Sequence, residues 1–227
     1  GPPGSASPAL NADIMTTVLL ITYSTLSFGL AARLSRPGDM HLARAGDAEM
    51  VDGSRKSVRL SPEVVEAAKE ELCEDRLFEV AEAMDYRVRT VEVEGIRKPV
   101  NVFEVGDPTD IDGCDTDSER SHLCGGVLWP GARSAAQALA AHGVKGKRVM
   151  EVGAGTGLVS IAASMLGAAS VLATDHSHET LALIDAAAEA QGLRQLRTGV
   201  LDLLDDEAPL PEHVDVAVAA DLLYSEE

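Results

Sequence analysis

Val149-Met150-Glu151-Val152-Gly153-Ala154-Gly155-Thr156-Gly157 reads as the end of a short apolar strand running into a turn made of glycines. A helix is expected directly after it, over Leu158 to Leu166. Glycines in such a turn let the backbone press closely against a bound ligand, because no Cβ stands between them. The spacing is G-x-G-x-G with Leu158 in the next place, whereas the dinucleotide fingerprint G-x-G-x-x-G needs a glycine or alanine there. That weakens a nicotinamide reading. A second apolar strand, Ser170 to Thr174, runs into Asp175, twenty-four residues after Glu151. A carboxylate at that strand end can accept hydrogen bonds from ribose hydroxyls. Turn and carboxylate together point to an adenosyl cofactor.

A glycine turn after a strand is common, so the surrounding sequence has to raise its meaning. Upstream stands Gly125-Gly126-Val127-Leu128-Trp129-Pro130-Gly131; downstream, Asp215 to Ala220 runs into Asp221-Leu222-Leu223-Tyr224. In this order the set resembles the class I S-adenosylmethionine-dependent methyltransferases, and more narrowly methyltransferase family 16, known mainly for protein lysine methylation. The resemblance covers about Arg87 to Glu227, and the D-x-x-Y segment is its most branch-specific element.

The resemblance implies an α/β, Rossmann-like fold. Its parallel sheet would run in order 3-2-1-4 with helices on both faces, preceded by a helix and a β-hairpin. The third strand would be Leu196 to Leu201 and the fourth Asp215 to Ala220. It also implies S-adenosyl-L-methionine as cofactor and a protein substrate. Glu151, Gly153, Gly155 and Gly157 would line the methionine and ribose portions, and Asp175 would hold the ribose. Asp202 would receive the adenine amino group, although Leu203 follows it where the family usually has tryptophan. Trp129 would pack near the cofactor. Three further strands would follow the D-x-x-Y segment, so a chain ending at Glu227 is expected to present its fourth strand as an open apolar edge and to bind cofactor weakly.

Methyl transfer from a sulfonium is an in-line displacement that needs positioning and desolvation, with no metal. A lysine amine must lose a proton before it attacks, and a carboxylate or phenol at the channel mouth can assist. Asp221 and Tyr224 are the catalytic candidates. Each site residue also has a plainer reading. Asp202 could simply end a strand, Trp129 could be core, Asp221 could cap a helix, and Tyr224 could be a surface aromatic.

At 227 residues and 45% hydrophobic content, the chain can bury a sizeable core, with 3% aromatic residues implying small side chains inside it. A formal charge of -18 argues against a grip on nucleic acid, which needs lysine and arginine to displace counterions. It suits a basic protein partner, and it is also the ordinary means of staying soluble. Cys73, Cys114 and Cys124 lack a C-x-x-C spacing and read as thiols in a reducing, cytoplasmic compartment. His176 and His178 flank Ser177, which reads as the cap of a helix rather than part of a metal pair.

Residues 1–60 stand outside the motif pattern. Gly1 to Ser5 is a disordered-looking lead without an initiating methionine. Ile14 to Ala32 is uncharged and is followed by Arg33 and Arg36, which suits a marginal membrane span, a targeting segment or a non-native extension. Arg33 to Leu60 reads as a linker. Residues 61–122 form a second region. Ser61 can cap a helix whose apolar stripe runs from Val64 to Met84, and Arg87 to Glu94 and Val100 to Val105 form a hairpin. Five aspartates between Glu104 and Glu119 fail the EF-hand spacing and read as an acidic loop. Residues 123–227 are the cofactor domain. Other classes remain open: a small-molecule methyltransferase, a non-catalytic cofactor-binding interaction module, or a membrane-anchored scaffold.

Overall fold

The computed structural model describes residues 17–21, 50–51, 56–63, 65–66, 83–105, 125–203 and 213–222. Their strands are β1 (Thr17–Ile21), β2 (Met50–Val51), β3 (Lys56–Arg59), β4 (Ala83–Val91), β5 (Val100–Glu104), β6 (Arg148–Val152), β7 (Ser170–Asp175), β8 (Leu196–Val200) and β9 (Val216–Ala220). The helices are α1 (Pro130–His142), α2 (Leu158–Met165) and α3 (His178–Ala190).

Strands that are apolar without alternation suit a parallel sheet covered on both faces. Such runs in β6, β7 and β9 join β8 in an all-parallel sheet of order β8-β7-β6-β9, the 3-2-1-4 arrangement that the resemblance implies. The chain steps from β6 to β7 to β8 in one direction, so right-handed crossovers put α2 and α3 on the same face. Helix α1 packs against α2 and β9, and the described helices therefore share that face rather than dividing between the two.

One expectation is overturned. β9 does not end the sheet: β1 pairs with it in parallel, from Thr17 opposite Val216 to Ile21 opposite Ala220. An apolar edge strand is a template for pairing, and here the chain's own N-terminal segment takes the place. Residues 17–21 of the uncharged stretch Ile14 to Ala32 are thus a strand; the rest of that stretch lies outside the described residues. Among the described residues no helix is long and apolar enough to cross a membrane.

The hairpin forms as expected, with Arg87 opposite Glu104 and Val91 opposite Val100. Its first strand starts earlier than the alternation suggested. Met84 belongs to β4 rather than to a helix, and the stretch read as linker supplies β2 and β3, each paired antiparallel with β4. Residues 62, 63, 65 and 66 are helical, and the remainder of the expected helix lies outside the described residues, as do the acidic aspartates and the three cysteines.

Hairpin and sheet share one core. α2 is buried from Leu158 to Ser164 because it lies between β6 and β7 on one side and β5 on the other, which is why its sequence is apolar all round. At the end of α3 the Gln191 carboxamide mimics a strand. It accepts from Asn101 N–H at 3.0 Å and donates to the Asn101 carbonyl at 2.8 Å. Gln191→Ala leaves both backbone groups unpaired in a half-buried place, so urea unfolding is expected to show a loss of about 1–3 kcal/mol. A loss within error would mean that water replaces both bonds. At the amino ends of β6 and β9, Asp215 takes a bidentate bond from Arg148, at 3.0 and 2.8 Å, and that guanidinium holds its carboxyl well below the usual carboxylate range.

Candidate cofactor site

The strand order reverses between β6 and β9, and in open α/β sheets such a switch point leaves a crevice at the carboxyl ends of the strands. Every described candidate residue lies at that end of the sheet. The turn after β6 contains Gly153, Gly155 and Gly157 at φ 64°, 52° and 72°, a region that disfavours side chains. Close packing adds to the demand. A Cβ at Gly153 would collide with the Leu222 side chain beyond β9, and one at Gly155 would lie 3.2 Å from the Gly125 carbonyl.

Two carboxylates hold this turn from beneath. Glu151 is 2% exposed, and its Oε2 accepts from Ser160 N–H at 2.8 Å, satisfying one of the orphan donors at the start of α2. Burial pushes its carboxyl up to about 8, against the opposing pull of Ser160 and with a smaller push from Asp175. Glu151 is therefore a support under the turn that the resemblance assigns to the cofactor. Asp175 Oδ2 accepts from Gly155 N–H at 2.9 Å, and Oδ1 accepts from Ser177 N–H at 3.1 Å. Burial raises the Asp175 carboxyl, but hydrogen bonds from His176, Gly155 and Ser177 together outweigh it and hold the group below its ordinary value. It is thus an ionised acceptor. A carboxylate offers about four acceptor positions, so these three bonds leave capacity for one from a ribose hydroxyl. Ser177 caps α3 as expected, its hydroxyl accepting from Thr180 N–H at 3.3 Å.

Leu201 N–H donates to the Asp175 carbonyl at 2.9 Å, which sets the exposed Asp202 beside the end of β7. Val200, paired in register with Asp175, is 50% exposed, and Leu203 is 60% exposed. Trp129 is the N-cap of α1 and is 41% exposed, so it is not a core residue. Across the crevice, Asp221 has φ 53°, the one positive value among the described non-glycine residues, and its Oδ2 accepts from Gly131 N–H at 2.7 Å. That bond caps α1. Tyr224 lies outside the described residues.

Gly131, Leu222 and Gly125 were missed by sequence reasoning. Gly131 follows Pro130 at a helix start, a place where glycine has no local advantage, and that was the available signal. A Cβ there would strike the Asp221 carboxylate.

A family described as lysine methyltransferase matches residues 110–227, just over half of the chain. The chain belongs to this lysine methyltransferase family. S-adenosylmethionine is the cofactor that goes with the family. Among relatives, a ribosomal protein L11 methyltransferase of Deinococcus radiodurans is 37% identical over 97 residues, 41% of this chain and 35% of that protein. The chain thus spans about a third of that curated relative's length. Among solved structures, a ribosomal protein L11 methylase from Lactobacillus delbrueckii subsp. bulgaricus is 34% identical, covering 39% of this chain and 43% of that one, at a TM-score of 0.32. A putative SAM-dependent methyltransferase from Streptococcus mutans is 25% identical, covering 52% and 27%, at 0.37.

The residues present fit the family's cofactor. A turn with glycine at every second place meets an ionised carboxylate with spare acceptor capacity, and the exposed apolar surfaces of Val200 and Leu203 flank Asp202, as a planar base with an amino group requires.

Proposed function

We propose that this chain carries the cofactor-binding part of an enzyme that transfers a methyl group from S-adenosylmethionine to a lysine side chain of a protein. The observation that carries the reading is the glycine turn at the β6/β9 switch point, which rests on Asp175, with Asp221 directly after the neighbouring β9. When bound, the cofactor supplies a methyl group on positive sulfur, already activated for displacement. Asp175 binds a ribose hydroxyl, Asp202 accepts from the adenine amino group, and Trp129 covers the entrance. Asp221, fixed by Gly131 N–H, holds and orients the incoming amine and receives its proton, with Tyr224 as the second polar group of the D-x-x-Y segment. The charge of -18 supports a basic protein substrate, and the cysteine spacing supports a cytoplasmic setting.

Calorimetric titration with S-adenosylmethionine tests the site. Asp175→Ala removes the ribose acceptor and is expected to weaken binding at least about tenfold, with melting curves recorded alongside to confirm folding. Equal affinity in the variant, or none in the parent chain, would sink the reading. Incubation with methyl-labelled cofactor and a lysine-rich protein, followed by mass spectrometry, tests the acceptor. Label found on small metabolites alone would replace the protein substrate with a small molecule.

A further inference from the structure

Glu104 ends β5 in the middle of an apolar neighbourhood, with Val100, Val102 and Phe103 of the same strand all buried. Sequence reasoning placed it at the start of an acidic loop. In the fold its side chain is 1% exposed. Oε2 accepts from Arg89 Nε–H on β4 at 2.7 Å, and Oε1 accepts from the backbone N–H of Leu128 at 2.9 Å. Beside it, Val105 N–H donates to the Gly126 carbonyl at 2.9 Å. Residues 126–128 are thereby laid along the end of β5. This strip begins at Gly125, whose carbonyl would lie only 3.2 Å from a Cβ at Gly155, and ends at Trp129, the cap of α1.

A buried ion pair costs desolvation of both charges, and an apolar pair of similar volume commonly serves stability as well or better. Stability alone therefore leaves the choice of glutamate unexplained. We infer that Glu104, neutralised by Arg89, is a positioning residue of the cofactor site: it holds the Gly125–Trp129 strip against the glycine turn. The inference rests on the cofactor reading of that turn.

Three variants test it. Arg89→Leu/Glu104→Leu removes the tether while filling the space with apolar groups, so the melting temperature is expected to stay near that of the parent. Acrylamide quenching of Trp129, the only tryptophan, is expected to rise without any ligand present, and S-adenosylmethionine affinity to fall about tenfold. Arg89→Gln/Glu104→Gln restores an uncharged acceptor for Leu128 N–H and is expected to recover most of both signals. Should the leucine pair fail to fold, Glu104→Asp, too short to reach Arg89 and Leu128 together, takes its place. Parent-like quenching and affinity in a folded leucine or aspartate variant would overturn the inference. A parent chain that binds no cofactor would defeat the cofactor reading alone, because quenching is read in the free protein.

Discussion

Glu151→Gln is expected to flatten the pH dependence of stability between about pH 4.5 and 8, the ordinary and the raised values for this carboxyl. In that window the folded chain keeps a proton that the unfolded chain has released. Stability from this group is therefore fully present below pH 4.5, falls as pH rises, and levels off above 8. The shift bounds the loss at roughly 5 kcal/mol. Glutamine is neutral throughout, and its carbonyl oxygen keeps the bond from Ser160 N–H. Urea unfolding at pH 5 and pH 8 should show several kcal/mol lost by the parent and little lost by the variant, which becomes the more stable of the two at pH 8. Parallel pH profiles would mean that the proton resides on another group.

Gly131→Ala is expected to be a damaging single methyl in the site although its backbone is an ordinary helical one. The added Cβ would meet all three atoms of the Asp221 carboxylate, which is drawn to this place by its bond from Gly131 N–H. Asp221 must leave, and with it goes the bond to Gly131 N–H at the start of α1. Loss of a cap costs about 1 kcal/mol and overpacking about 1–3, so a fall of about 2–4 kcal/mol is expected in chemical denaturation. Asp221→Gly provides the contrast. It forfeits the cap but relaxes a left-handed residue, and should cost less than Gly131→Ala. Equal losses would mean that the cap, and not crowding, sets the penalty.

The motif segments were legible because each couples a local signal to a spacing. A glycine turn between an apolar strand and a helix leaves few alternatives, and β6, α2, β7 and the Ser177 cap fall where their patterns put them. Long-range partners were not legible. Nothing in Pro130-Gly131 tells that an aspartate ninety residues later will sit on its N–H, and nothing around Glu104 tells that the Leu128 N–H will meet its carboxylate. The uncharged stretch around Thr17 failed for another reason. Length and hydropathy alone cannot separate a membrane segment from a buried parallel strand, since both dispense with polar alternation. Glu151 shows the same limit at the scale of one side chain: its place in the motif was legible, its inward-turned carboxylate was not.

The pairing of Thr17 with Val216 joins residues 199 positions apart in the chain. At translation rates of about 5–20 residues per second, this apolar segment waits roughly 10–40 s for its partner strand to be synthesised. During that interval β1 has no sheet to join, while β6, β7 and β8 follow one another closely enough to assemble soon after they emerge. Closing so long a loop late also predicts slow final consolidation. For this chain the vulnerable period falls during its own synthesis, when Thr17–Ile21 is an unpaired apolar strand available to any chaperone or neighbouring nascent chain that reaches it before β9 does.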